Sequence, residues 1–179
     1  MVVPPKPASG LPPDPDDRLL SAVCDQLEPK RLVTTELLLR GPKWRRVVVS
    51  VGIEVVAQRT GSSVAEVRQA VRDALVAALS PVPERGSAGW QLGRTVRPAE
   101  LMVVVAQVPG VRAVIDVLLG DTTGAVLSSL PLVGLELPWL ANVAVTEGVA
   151  APVTELVPKL AAVSAPSLPV PVLRHECDE

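Results

Sequence analysis

The chain has 179 residues, 48% of them hydrophobic, and a net charge of −2, which suits one ordinary domain with extended ends. Its basic and acidic residues are interspersed, excluding the concentrated basic stripe of a nucleic-acid surface, and no window approaches the ~20 uninterrupted apolar residues of a membrane span. Phe and Tyr are absent, so the core has to be built from Val, Leu and Ala around Trp44, Trp90 and Trp139, a composition that favours strands and short helices.

Residues 1–15 are rich in Pro and carry Gly10. Pro removes backbone donors and favours extended chain, so this stretch reads as an arm; it lacks the apolar segment of a signal peptide. Asp16 to Leu27 reads as a helix, with Leu19, Leu20, Val23 and Leu27 on one face, acids at its start and Pro29 as its stop. Thr34 to Arg40 is a short strand candidate before the Gly41-Pro42 turn. Arg46 to Gln58 is the clearest strand. Val47, Val49, Val51, Ile53, Val55 and Ala57 fall on one face, and Arg46, Ser50, Gly52, Glu54 and Gln58 on the other. Val48 and Val56 imply partial cover on that second face too.

Gly61-Ser62-Ser63 breaks the strand, and Ser63 with Glu66 forms a capping box. The stripe Val64, Val67, Val71, Ala74, Leu75, Ala78 and Leu79 predicts a helix ending at Pro81 and Pro83. Glu84 to Thr95 is Gly-rich and carries Trp90. Pro98 suits a first helical position, Glu100 lies near the positive end of that helix dipole, and Leu101, Val104, Val105 and Val108 supply its apolar face before Pro109-Gly110. Val111 to Leu119 alternates as a strand, with Val111, Ala113, Ile115, Val117 and Leu119 on one side. Beyond Gly120-Asp121 a hairpin is expected, Ala125 to Leu130 against Ala141 to Thr146. From Gly148 onward the chain is apolar but punctuated by Pro152, Pro158, Pro166, Pro169 and Pro171, which reads as an arm packing on another chain.

The organisation expected is therefore an N-terminal arm (1–15), an α+β domain (16–120), a β-hairpin extension (121–147) and a Pro-rich C-terminal arm (148–179). The α+β domain is expected to be a small mixed or antiparallel sheet with helices packed on one face, as in a ferredoxin-like sandwich.

Few residues point to chemistry. The lone His175 falls near the end of the chain in the run His175-Glu176-Cys177-Asp178, so no Ser/His/Asp or Cys/His pair is offered by the folded part. Metal binding by that short run is disfavoured. Cys24 and Cys177 are too few for a disulfide framework or a four-ligand zinc site, and Cys24 reads as a small core residue. Glu54 and Asp116 fall on the outer faces of their strands, where a solvated sheet face accounts for them. Asp16 and Asp17 are explained by the helix dipole. Lys43, Arg45 and Arg46 around Trp44 read as a solvated strand edge. The loop Gly86 to Arg94 has glycines but lacks the ending of a phosphate-binding loop. Within it Trp90 either plugs the edge of the core or anchors a neighbouring subunit, and Trp139 shares that ambiguity. Trp90, Trp139, Leu156, Leu160 and Leu168 are the candidate interface residues. The reading is non-enzymatic and needs no cofactor.

The run LEPKRLVTTELLLRGPKWRRVVVSVGIEVVA, followed by SSVAEVRQAVRDALVAALSP, GWQLGRTVRPAEL and VPGVRAVIDVLL, resembles the C-terminal region of the baseplate J family. The Gly-Trp…Gly-Arg loop and the helix–PGV–strand junction carry most of the likeness, which spans about residues 11 to 146. The resemblance implies a wedge component of a contractile tail or injection system, assembled in the cytoplasm into a phage tail-like particle. Six-fold sets of wedges, each with two J-like chains, would surround a spike hub and meet sheath-proximal proteins. Family members are longer, with N-terminal domains that this chain does not match, and none of their residues is defined as catalytic or ligand-binding. The alternative expectation is a ferredoxin-like small-ligand-binding regulatory module, with the Gly86–Arg94 loop as its only pocket candidate.

Overall fold

A computed structural model describes residues 12, 14–32, 34–56, 63–82, 89–157 and 175–176. Among these residues it is an α+β protein with three α-helices, α1 (Asp17–Leu27), α2 (Val64–Leu79) and α3 (Pro98–Ala106). The described strands are β1 (Leu38–Leu39), β2 (Lys43–Val55), β3 (Val111–Gly120), β4 (Val126–Leu127), β5 (Glu136–Glu147) and β6 (His175–Glu176). No helix among the described residues is long and apolar enough to cross a membrane.

Local sequence explains the helices. The Asp16 side chain accepts the Leu19 amide at 2.8 Å and opens α1. Ser63 and Glu66 cap α2 reciprocally, at 3.2 and 2.7 Å, each satisfying an amide that the first turn leaves without a partner. Pro98 starts α3, whose N-cap residue Arg97 supplies no side-chain cap.

The main sheet runs β4-β3-β2-β5. β2 and β3 are antiparallel, whereas β5 runs parallel to β2 along its other side. The expected hairpin between 125–130 and 141–146 does not form. β4 pairs with β3 instead, and β5 crosses to the opposite edge of the sheet. Nor is the order that of a ferredoxin-like sandwich, which alternates as β-α-β-β-α-β: both α2 and α3 lie between β2 and β3.

One face of β2 meets the helices through Val47, Val49, Val51 and Ile53, with Val67, Val71, Leu75 and Leu79 of α2 and Leu101 and Val105 of α3. Each fully buried side chain of this size contributes roughly 1.5–3 kcal/mol relative to exposure. The alternation expected for β3 fails at two β-bulges. Gly52 opposes Asp116 but Ile53 opposes Val114, and Glu54 opposes Ala113 but Val55 opposes Val111. Each bulge inserts a residue and flips the side-chain parity. The inward positions become Leu119, Val117, Val114 and Val111, while Ile115, expected to be inward, is 43% exposed.

The other face of β2 is buried as well at Val48, Ser50 and Gly52. Residues 148–157 fold back across it as a strap, and Val153 and Leu156 pack on Val48, with Leu118 and Ala144 beside them. The beginning of the expected arm thus packs on its own chain. Two sheet glycines permit the approach. A Cβ on Gly52 would meet the Gly148 carbonyl oxygen and lie 2.6 Å from the Ala150 nitrogen, and one on Gly120 would meet Val153 and lie 3.0 Å from Val48.

A second cluster joins the chain ends. Leu20 and Cys24 of α1 pack with Leu39 of β1, and β6 pairs antiparallel with β1, Leu38 opposite Glu176 and Leu39 opposite His175. Cys24 is buried as expected, yet it is also disulfide-bonded. The short strand expected over 34–40 reduces to Leu38 and Leu39. Most of residues 1–15, together with 57–62, 83–88, 158–174 and 177–179, lies outside the described residues.

Candidate interaction surface

The residues expected at an interface separate into three environments. Trp90 is 7% exposed and sits in the helix-side core. Its amide donates to the Ser80 carbonyl at 2.7 Å, and its indole Nε1 donates to the Arg94 carbonyl at 3.1 Å. The Arg94 guanidinium lies 4.9 Å from the ring centroid and reaches Glu100 of α3 at 3.1 Å. Gly89 and Gly93 take the left-handed conformation that this tight loop needs. The loop thus serves to seat the indole as a plug between the end of α2 and the start of α3. That settles the position of Trp90 in favour of core.

Trp139 is half-buried against Trp44, the two rings 5.5 Å apart and inclined at 68°, an edge-to-face pair. Beside them Arg45 faces Glu136 across the strands at 3.9 Å, with Arg45 largely in solvent, as a solvated strand edge requires. Leu156 of the strap is 4% exposed, its carbonyl accepting the Asn142 side-chain amide at 3.0 Å. Its apolar surface is met inside the chain, so it is corrected from interface to core. Leu160 and Leu168 lie outside the described residues.

Glu54 and Asp116 are not register partners: Glu54 opposes Ala113, and Asp116 opposes Gly52. Glu54 instead lies 4.0 Å from Arg112, both exposed. Among the described residues no group of three or more His, Cys, Asp or Glu is placed to hold a metal ion. Among the described residues the one perturbed carboxylate is Asp121, in the β3–β4 turn. The Thr123 hydroxyl at 2.6 Å, and after it the Thr123 and Ala125 amides at 2.8 and 3.1 Å, hold it below the ordinary value of 3.8. This is a turn-stabilising arrangement.

The surface that stands out was missed in the sequence. Leu101 and Val105 of α3 are buried toward the sheet, and Ala99, Met102, Val103 and Ala106 form a second apolar stripe that is exposed. Their spacing of i, i+3, i+4, i+7 places them on one side of the helix. Met102 is 38% and Val103 57% exposed. The available signal was the absence of any charged residue between Glu100 and Gln107, which leaves α3 without a wet face. By contrast, the outer side of α2 carries Glu66, Arg68, Gln69, Arg72 and Asp73. Gln69 donates to Asp73 at 2.9 Å, and Arg68 spans to the Val145 carbonyl of β5 at 2.8 Å.

No protein-family model matches this chain, and no curated protein shows significant similarity to it.

Proposed function

We propose that this chain is a structural wedge component of a contractile injection-system or phage-tail baseplate, of the baseplate J-like kind, acting through protein–protein contacts. The observation that carries the reading is the exposed apolar stripe of α3, in which Ala99, Met102, Val103 and Ala106 lie together on one side of the helix. A helix that is apolar all round is ordinarily buried on every side, so its outer face is suited to a neighbouring subunit. The segments that resemble the family also cooperate in one structural unit. The capped helix α2, the Trp90 loop, α3 and the PGV turn into β3 meet in a single core around Val49 and Val51.

In this reading the rigid sheet domain positions α3 against a second J-like chain within the wedge. Stable interfaces bury on the order of 1,200–2,000 Å² in total, more than one short helix face supplies. Other parts of the chain, including its Pro-rich ends, therefore share the contact with hub and sheath-proximal neighbours in a six-fold ring. Assembly takes place in the cytoplasm, and rearrangement of such interfaces on host contact releases sheath contraction.

The test is purification of the tagged chain from its native host, with and without M102D/V103D, followed by negative-stain microscopy. Tail-like particles containing the unmodified chain, and their loss in the folded double variant, are expected. A lone monomer with no tail proteins attached overturns the proposal, and particles unaffected by the double variant remove α3 from the interface.

A further inference from the structure

We infer that two copies of this chain join edge to edge through β3, paired antiparallel about a two-fold axis at Val114, so that their main sheets run on as one. Along one side β3 pairs with β2 from Val111 to Gly120. Along the other, β4 covers it at Leu119 and Gly120, and among the described residues no strand pairs with residues 111–118 there. An uncovered edge presents a row of backbone donors and acceptors, a template for another strand. The opposite edge of the sheet is treated differently. On β5 the Val145 carbonyl accepts the Arg68 Nε at 2.8 Å, and the Val143 amide donates to the Asn142 side chain at 2.9 Å.

What selects a second copy is the sequence of the edge itself, VRAVIDV over residues 111–117. Pairing this strand with itself about Val114 sets Arg112 opposite Asp116 of the second copy, and Asp116 opposite its Arg112. Ala113 meets Ile115, a small side chain against a large one, and Val111 meets Val117. Opposite charges directly across a ladder attract and like charges repel, and the two-fold uses each pair twice. Arg112 is 72% exposed and its contact with Glu54 is long, at 4.0 Å, so its guanidinium can serve the new pair at little cost.

The facing of the side chains matches as well. Val111, Val114 and Val117 all belong to the helix-side core, while Arg112, Ala113 and Ile115 are exposed. In this register helix-side residues meet helix-side residues, and the others meet among themselves. Bulges ordinarily spoil an edge for pairing. Those of β3 leave its helix-side residues three apart instead of two. A second copy of the same strand reproduces that spacing, and a regular strand, with its period of two, does not. A strand pair of this length is marginal by itself, and α3 adds to it. α3 packs on β3 and α2 on β5, so α3 is the helix on the side of the open edge. With the axis perpendicular to the sheet, both copies of α3 stand on the same face beside it, and Met102 and Val103 extend the contact.

This inference goes beyond the baseplate reading and does not rest on it. The test uses the purified full chain, with association followed by sedimentation over micromolar concentrations and folding checked by circular dichroism. The unmodified chain is expected to dimerise. R112D and D116R each set like charges across the ladder twice and are expected to weaken dimerisation at least about tenfold. R112D/D116R exchanges the charges and restores opposite pairs, so its dissociation constant is expected to return to within about threefold of the unmodified value. Should one single variant fold poorly, the other carries the same contrast. Amides of residues 111–117 are expected to exchange more slowly as the dimer fills, with those of β5 unchanged. An unmodified chain that stays monomeric, a dimer indifferent to both single variants, a double variant no better than the single ones, or protection appearing on β5 instead would each overturn the pairing. Tail-like particles bear on the baseplate reading alone, so the two can fail separately.

Discussion

The two faces of the sheet are covered by different means and to different extents. On one face α2 and α3 bring periodic stripes of Val and Leu onto Val47, Val49, Val51 and Ile53. On the other, an irregular strap over residues 148–157 covers Val48. The helices satisfy their own backbone hydrogen bonds and dock through side chains. Apart from one 3-10 turn at Val153–Glu155, the strap has no such internal ladder, and it is tied down group by group. The Gly148 amide donates to the Ile53 carbonyl at 2.9 Å, the Thr146 hydroxyl lies 2.8 Å from the Val149 carbonyl, and Asn142 holds the Leu156 carbonyl. The lesson is that a side chain as fully buried as Val48 can owe its cover to a different kind of support: one face rests on volume, the other on a few polar ties and two missing Cβ atoms.

That difference can be tested by mutation. On the helical face L75A removes a fully buried side chain and is expected to lower stability by about 2–5 kcal/mol, read as a shift of the denaturant midpoint at unchanged slope. On the strap face G52A drives a Cβ into the backbone at Gly148 and Ala150. A loss of about 1–3 kcal/mol is expected from overpacking, together with faster hydrogen exchange in residues 148–157. If instead G52A matched L75A in a uniform rise of exchange everywhere, the strap would be as integral as the helices. N142A removes one tie and leaves the Leu156 carbonyl without it, at a cost of about 1–2 kcal/mol, again concentrated in strap amides.

Ser50 sharpens the comparison with the opposite sign. It is fully buried on the strap side, between Leu118 and Ala144, and its hydroxyl has no hydrogen-bond partner among the described residues. S50A is expected to leave stability unchanged or raise it by up to about 1 kcal/mol, and a clear loss in thermal unfolding would show an overlooked partner. The smallest effect belongs to Asp121, whose turn abuts the strap at Gly124, where a Cβ would lie 3.4 Å from Thr154. Its folded pKa is depressed by the Thr123 hydroxyl. Its contribution is therefore present above the ordinary value of 3.8 and is lost as pH falls through the lower folded value. Exchange of the turn amides should rise over that acid range in the native chain, and D121N should abolish the dependence.

The helices were the most legible elements. Asp16, Ser63 with Glu66, and Pro98 each act on amides within one turn, so their effect is written in adjacent letters. Trp90 was half legible. Its flanking glycines announced a tight loop, and only the packing showed the ring directed into the core. The exposed stripe of α3 was hidden because an apolar face predicted from Leu101, Val104, Val105 and Val108 looked sufficient, while the lack of charge on the opposite side went unused. The C-terminal segment misled for a related reason. Its many prolines mark irregular chain, but irregular chain can cover its own sheet as readily as a partner.

By itself the sequence determined where helices begin and end, that β2 is a buried strand, and that Val and Leu form the core, because caps, turns and side-chain periodicity are short-range. Tertiary structure decided that β5 lies parallel to β2 instead of hairpinning with β4, that two bulges turn Ile115 outward, and that Gly52 and Gly120 admit the strap. It also brought β6 to β1 beside Cys24. Those outcomes depend on which distant surfaces fit together, and strand pairing, bulge placement and close backbone approach are decided by the free energy of the assembled core, not by any residue's immediate neighbours.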